Sequence, residues 1–348
     1  MPVEVDQTSI QKATAFCSFE MKRTRLTPSS LASFASHMGS EERTDYRWGS
    51  RSHRHLADSL AKSMDGLNIE TVLHAGSPAT IPDESRQVHH LMCDSTWFGI
   101  ARHLDPPSRF PPELQDEIES LYRSAYQQVR HFFPLSRSTA SELQDRYGIS
   151  SDRITPVGSG RGNIAANYDP DKDYSTKRVL FAAKQRFRQK GGMLLLEAMR
   201  QVADLDPDVR LTIVGGPEDM DAGEIPSNVT VLGFLTQQEL ETEFHKASLF
   251  AMPATLEPWG LVYLEALASR TPILGLRRNA FPEIAGDGEF GIILDDPDPG
   301  SIASAIVTAV NEPNKLQEMA EVGQKYALDH YTWDAAARRL SDGMSASA

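Results

Sequence analysis

A chain of 348 residues with 40% hydrophobic and 24% charged side chains has the length for about two domains and an ordinary globular composition, which excludes a short module, a fibre or a disordered chain. Its formal charge of −13, concentrated in the second half, opposes attraction to nucleic acid or anionic lipid. Two cysteines, Cys17 and Cys93, exclude a disulfide framework and a cysteine-rich zinc site and suit a reducing cytosol.

The first ten residues include Glu4 and Asp6 without a basic-then-apolar pattern, so no secretory leader is expected. No apolar run reaches the roughly 18 to 20 residues a membrane helix needs. A soluble cytoplasmic protein is the expectation, with peripheral membrane contact at most. Residues 1–60 hold few strand signals. Residues 47–55, cationic with a tryptophan, precede an expected helix over residues 56–64; a solvated loop, a membrane contact or an anionic acceptor contact all fit them. Thr71-Val-Leu-His74 and Val88-His-His-Leu-Met92 read as strands running into polar loops. Residues 113–133 read as one long helix with Leu114, Ile118, Leu121, Tyr122, Ala125 and Val129 at helical spacing. The polar residues 163–177 are the expected linker and hinge.

From Arg178 onward, short β-rich runs alternate with helical patterns. Strands are expected at 178–183, 209–214, 229–232, 248–252, 272–275 and 291–294, and helices at 193–203, 237–246, 262–269 and 301–310. Repeated β-α units imply a parallel sheet with helices on both faces and ligands at the carboxyl ends of its strands.

The most informative segment is Glu257-Pro-Trp-Gly-Leu-Val-Tyr-Leu-Glu265. A carboxylate precedes a helix start at Gly260, and another sits in the helix's second turn. The amides of Gly260, Leu261 and Val262, with the positive end of the helix dipole, would hold phosphate oxygens, and glycine lets a ligand approach the backbone. Carboxylates accept hydrogen bonds from hydroxyls, so a diphosphate with a polyol at each end, a sugar nucleotide, fits the pattern. A capped helix and a surface ion pair would use the same acids. The basic loop Lys184-Gln-Arg-Phe-Arg-Gln-Lys190 before Gly191-Gly192 is a second candidate element: its cations and another helix start would stabilise a departing diphosphate.

Residues 257–268, followed by Thr271-Pro-Ile and Pro282-Glu-Ile, resemble the donor-site signature of the group 1 (family 4) retaining glycosyltransferases of GT-B fold. The resemblance extends over residues 178–340 through Lys190-Gly191, Val214-Gly215, Gly233 and Tyr331-Thr-Trp-Asp334. It implies that Glu257 contacts donor-sugar hydroxyls, that the amides after it hold the distal phosphate, and that Glu265 binds the ribose. It also implies two Rossmann-like domains facing a cleft. The family's Gly-Arg is Ala183-Lys184 here, which leaves Lys184, Arg186 and Arg188 as candidates for the second cation; lysine forfeits arginine's bidentate fork. Where the family opens with a strand and a Gly-rich loop, residues 13–17 run into the basic residues 21–25 without a Gly pair, so the first domain reads as abbreviated.

In that first domain His74 and Asp94 end strands and are expected to point into the cleft as candidate catalytic groups; a structural role for either stays open. His89 and His90, adjacent on a strand, face opposite sides and cannot share one metal. The triplets Asp169-Pro-Asp171, Asp206-Pro-Asp208 and Asp296-Pro-Asp298 have a central Pro that marks turns. No metal or cofactor is expected. Ser136 and the turn Gly158-Ser-Gly160 read as structural.

The expected architecture is an acceptor-side domain over 1–165, a donor-binding domain over 166–330 and a C-terminal helix over 331–348 crossing back towards the first. The expected function is metal-independent, retaining transfer of a hexose-type sugar from a nucleoside diphosphate to a carbohydrate, lipid or small-molecule hydroxyl. Lys190, Glu257, His74 and Asp94 are the catalytic candidates, and Lys184, Arg188, Gly215, Gly260, Leu261, Val262 and Glu265 the donor-binding ones. A non-catalytic nucleotide-sugar-binding or partner subunit of the same fold is the alternative.

Overall fold

The structure, a computed structural model, describes residues 57–58, 61–62, 64, 69–76, 81, 85–101, 112–162, 164, 172–216 and 225–346. Expectations about Cys17, residues 13–25 and 47–55, and the triplet at 169–171 lie outside the described residues; of the expected helix over 56–64, residues 57, 58, 61, 62 and 64 are described and helical. The chain divides into two compact units. One holds residues 1–158 and 336–348, and the other holds 159–335.

In the first unit, strands β1 (Thr71–Ala75), β2 (Val88–Cys93) and β3 (His131–Pro134) pair in parallel in that order. Helix α1 (Trp97–Ala101) follows β2, and α2 (Pro112–Gln128) buries Ile118, Tyr122, Ala125 and Tyr126. The helix expected over 113–133 therefore ends at Gln128, and its last residues are a strand. His131, Phe132, Phe133 and Pro134 are all buried, and a strand covered on both faces reads as a continuous apolar run that a helical pattern can absorb. Helix α3 (Arg137–Tyr147) begins at Ser136, whose hydroxyl accepts the Thr139 amide at 3.0 Å, and ends at Gly148 with φ 67°. The first is a standard helix start and the second a standard helix stop.

The second unit carries β4 (Arg178–Ala182), α4 (Gly192–Leu205), β5 (Arg210–Val214), β6 (Val229–Gly233), α5 (Gln237–Lys246), β7 (Leu249–Ala251), α6 (Leu261–Ala268), β8 (Ile273–Leu276), α7 (Phe281–Ile284), β9 (Gly291–Leu294), α8 (Pro299–Val310) and α9 (Pro313–His330). All six strands run parallel in the order β6-β5-β4-β7-β8-β9. The order reverses between β4 and β7, and such a switch point opens a crevice at the strands' carboxyl ends. Helix α9 was not among the expected elements. Its buried face, Leu316, Ala320, Gly323, Gln324 and Ala327, holds one large apolar side chain and so gives little hydrophobic periodicity.

Part of the expected linker packs on this unit. The Lys172 ammonium donates to the carbonyl of Phe244 at 3.0 Å and to Thr271 Oγ1 at 2.7 Å, and the Tyr174 hydroxyl donates to the Arg270 carbonyl at 2.7 Å. The last helix, α10 (Trp333–Ala346), starts in the second unit and continues into the first. There Leu340 packs with Phe133 and Val157, and Arg339 donates to the Val157 carbonyl at 2.8 Å.

Candidate functional site

The two loops at the switch point are tied together by backbone bonds. The Gln189 carbonyl, in the loop after β4, accepts the amides of Thr255 at 2.9 Å and Leu256 at 3.3 Å and the Thr255 hydroxyl at 3.1 Å, all from the loop after β7. Gly191 makes this approach feasible. Its φ is +81°, and a Cβ there would lie 2.1 Å from the Pro253 carbonyl oxygen. Phe187, fully buried against Phe181, anchors the basic loop from beneath.

Docked in this way, the loops bring Lys190 Nζ to 2.9 Å from Glu257 Oε2. Both precede helix starts that lack a side-chain cap: Gly191 opens α4, and Gly260, with φ 88°, opens α6. At α4 the Gly192 amide donates to the Phe187 carbonyl at 2.9 Å, and at α6 the Tyr263 amide donates to the Gly260 carbonyl at 3.0 Å, which leaves the Leu261 and Val262 amides at the start of α6 for other acceptors. Tyr263 fixes the second start, since its buried hydroxyl donates to the Met252 carbonyl at 2.6 Å.

Glu265, one turn further along α6, has its pKa raised to about 7 because burial disfavours its charge, and the charges of Lys184 and Lys190 offset part of that rise. The three candidate second cations, Lys184, Arg186 and Arg188, are all exposed on this loop, and Lys184 is the one whose charge bears on the Glu265 carboxyl. Gly215, with φ +115°, lets the loop after β5 press on the loop after β4, where a Cβ would lie 1.7 Å from the Ala183 carbonyl oxygen. Leu261 is exposed and Val262 half-buried in the first turn of α6.

The structure therefore gathers Lys184, Lys190, Glu257, Gly260 and Glu265 within the second unit. His74 and Asp94 belong to the first unit. His74, expected to point into a cleft from its strand end, is buried. The register sets Val72 opposite His89, so His74 and His89 share a sheet face, and His74 Nε2 and His89 Nδ1 share a hydrogen bond at 2.9 Å. Burial, then the neighbouring His89 and His90, lowers the His74 pKa to about 4. Asp94 is exposed after β2, and its carbonyl accepts the Thr139 hydroxyl at 2.9 Å.

His90 lies on the opposite face, opposite His131 in the ladder. Asp206 binds Lys177 at 2.6 Å and Asn311 at 2.9 Å, and Asp298 caps α8. Among the described residues, no group of three or more His, Cys, Asp or Glu side chains gathers where it could hold a metal ion. Nor is any described helix long and apolar enough to cross a membrane.

Two contacts were not foreseen. The Trp259 indole donates to Ser159 Oγ at 2.7 Å. Gly162, with φ +83°, lies so close to Glu265 that a Cβ there would be 2.5 Å from its carboxylate. The alternating glycines of Gly158-Ser-Gly160-Arg-Gly162 are the only sequence signal for this second approach.

Residues 167–326 match the family described as "Glycosyl transferases group 1". The chain is 26% identical over 212 residues to a GDP-mannose-dependent alpha-(1-6)-phosphatidylinositol monomannoside mannosyltransferase of Mycolicibacterium smegmatis, covering 57% of this chain and 54% of that protein. It is 29% identical over 237 residues to a D-inositol 3-phosphate glycosyltransferase of Corynebacterium glutamicum, covering 60% and 56%. The chain thus spans about half the length of the curated relatives it matches. Its fold is that of sucrose-phosphate synthase from Thermosynechococcus elongatus, with TM-score 0.68 and 14% identity over 85% of this chain and 78% of that one. The glycosyltransferase WaaG, which takes part in lipopolysaccharide biosynthesis, superposes with TM-score 0.60 and 16% identity over 83% and 80%. The fold is GT-B.

Proposed function

We propose that this chain, whose residues 167–326 match the group 1 glycosyl transferases, transfers a hexose-type sugar from a nucleoside diphosphate to an acceptor hydroxyl, with retention at the anomeric carbon and without a metal ion. The observation that carries this reading is the pairing of Lys190 with Glu257 at 2.9 Å between two uncapped helix starts at the sheet's switch point. Lys190, with Lys184 and the amides of Leu261 and Val262, stabilises the charge that develops on the departing diphosphate, the role a divalent cation would otherwise fill. Glu257 accepts hydrogen bonds from the donor sugar, and Glu265 accepts from the ribose. The acceptor proton passes to the leaving phosphate oxygen on the face from which the sugar departs, so the chemistry relies on positioning and electrostatics rather than on a protein base. Asp94, exposed at a strand end, is the acceptor-side candidate.

The relatives' names include phosphatidylinositol monomannoside and D-inositol 3-phosphate, so inositol-type polyols lead the acceptor screen. A cytoplasmic setting is part of the same proposal.

Thermal unfolding with UDP-, GDP- and ADP-sugars in the presence of a chelator tests donor binding, because a ligand held only by the folded state raises the melting temperature. Stabilisation by at least one of them is expected, together with transfer or slow donor hydrolysis in the same preparation and a product of unchanged anomeric configuration. An absence of stabilisation, an absolute need for magnesium, or an inverted product sinks the corresponding part of the proposal. Binding without transfer or hydrolysis favours a nucleotide-sugar-binding subunit, the reading to which His74, buried against His89, lends support.

A further inference from the structure

The ion pair between Lys190 and Glu257 sets two ligand-binding groups against each other inside one site. Lys190 Nζ and Glu257 Oε2 are 2.9 Å apart, with the side chains only 23% and 19% exposed, so solvent screens their attraction in part. Lys190 stands directly before the start of α4, and Glu257 lies three residues before Gly260, the start of α6. An anion seated on these two starts competes with Glu257 for the Lys190 ammonium and comes to rest beside a carboxylate of like charge.

What the anion carries then decides the balance. A bare diphosphate presents oxygens that accept, and Glu257 can also only accept, so the carboxylate loses its partner and gains none. A diphosphate bearing a sugar replaces the ammonium with hydroxyl donors.

We infer that the Lys190–Glu257 pair is a specificity device, making the site favour a sugar-bearing nucleoside diphosphate over the same diphosphate stripped of its sugar. This rests on the donor-site reading above. Its consequence is that the nucleotide left after transfer is held less tightly than the donor, because departure restores the pair.

The test is isothermal titration of the full chain with UDP, GDP and ADP and with UDP-glucose, GDP-mannose and ADP-glucose. The proteins are the parent, Glu257→Gln, Lys190→Met and the double variant. The expected result is that Glu257→Gln binds the bare diphosphate about threefold to tenfold more tightly, the scale of one partly exposed ion pair. Preference for the sugar conjugate falls by at least that factor. In the Lys190→Met background the gain largely disappears, because no ammonium remains to be released. An unchanged preference in Glu257→Gln overturns the inference while donor binding itself stands. So does an equal gain in both backgrounds, which would show simple repulsion in place of competition. If none of the six ligands binds the parent chain, the donor reading fails and the inference falls with it.

Discussion

In the first unit four histidines, His74, His89, His90 and His131, are buried and held towards the neutral form, whereas in the second a carboxyl, Glu265, is buried within the influence of two lysines. His74, His89 and His131 are taken up by hydrogen-bonding neighbours, while the buried His90 Nδ1 has no hydrogen-bond partner. His74 bonds His89, His89 Nε2 lies 2.7 Å from Ser85 Oγ, and His131 Nε2 lies 2.8 Å from Thr155 Oγ1. Glu265 instead sits with Lys184, Lys190 and Glu257 around two uncapped helix starts. The difference separates histidines engaged by packing from a carboxyl placed beside two lysines.

The largest effect expected from this contrast lies in the second unit. Lys190→Ala should lower the transfer rate by on the order of 10² to 10³, the usual loss when one charge-stabilising donor is removed. His74→Gln should change the rate far less if His74 belongs to the packing. Steady-state kinetics on both variants checks this, and a comparable loss from His74→Gln would break the distinction.

Next comes the response to acid, where the two units are expected to move in opposite directions. A neutral buried histidine with a lowered pKa binds fewer protons folded than unfolded, so stability is present above the unfolded value of 6.5 and is lost as pH falls towards about 4 for His74 and His90. For His74 alone the window corresponds to on the order of 3 kcal/mol. Glu265 has the opposite sign. Its pKa is raised from 4.5 to about 7, so the folded form retains a proton that the unfolded form has lost, and stability falls as pH rises through that interval. Hydrogen exchange between pH 6.5 and 4.5 should show protection falling in β1, β2 and β3 before it falls in β4, β5 and β7. Equal loss in both sheets would remove the asymmetry.

Glu265→Ala should erase most of the thermal stabilisation by a sugar nucleotide while raising the stability of the unliganded protein above pH 7, where the buried charge is relieved. Paired melting curves with and without ligand read both effects, and an unchanged ligand-induced shift would remove Glu265 from the site. The smallest effect separates two glycines. Gly162→Ala, which puts a Cβ against the Glu265 carboxylate at a positive φ, should cost about 1 kcal/mol of stability or more and weaken the donor. Gly148→Ala, with nothing within 4 Å of the added Cβ, should cost about 1 kcal/mol through backbone strain alone and leave donor affinity unchanged.

Much of the second unit was legible because its strands are short apolar runs cut off by Gly, Pro or Asp, and each such signal lies within a few residues. The elements that escaped were those whose burial depends on distant partners. β3 looked like the tail of a helix until β2 was beside it, and α9 presents small residues to its neighbours. Within the site, Glu257, Glu265 and Lys190 were readable from spacing around helix starts. Lys184 could not be separated from Arg186 and Arg188 by sequence, since all three share one loop and only its turn decides which charge reaches Glu265. His74 was read as a strand-end group, but its partner comes from the next strand and depends on register.

The amino-acid order by itself determined the alternation of strand and helix and the two acids flanking a glycine-led helix start, because backbone preference and side-chain periodicity act over a few neighbouring residues. Only the tertiary structure decided that Lys190 meets Glu257, that Gly162 lies against Glu265 and that His74 is absorbed by His89. Those contacts join segments far apart along the chain, and their distances are set by strand order, loop docking and the close backbone approach that glycine permits.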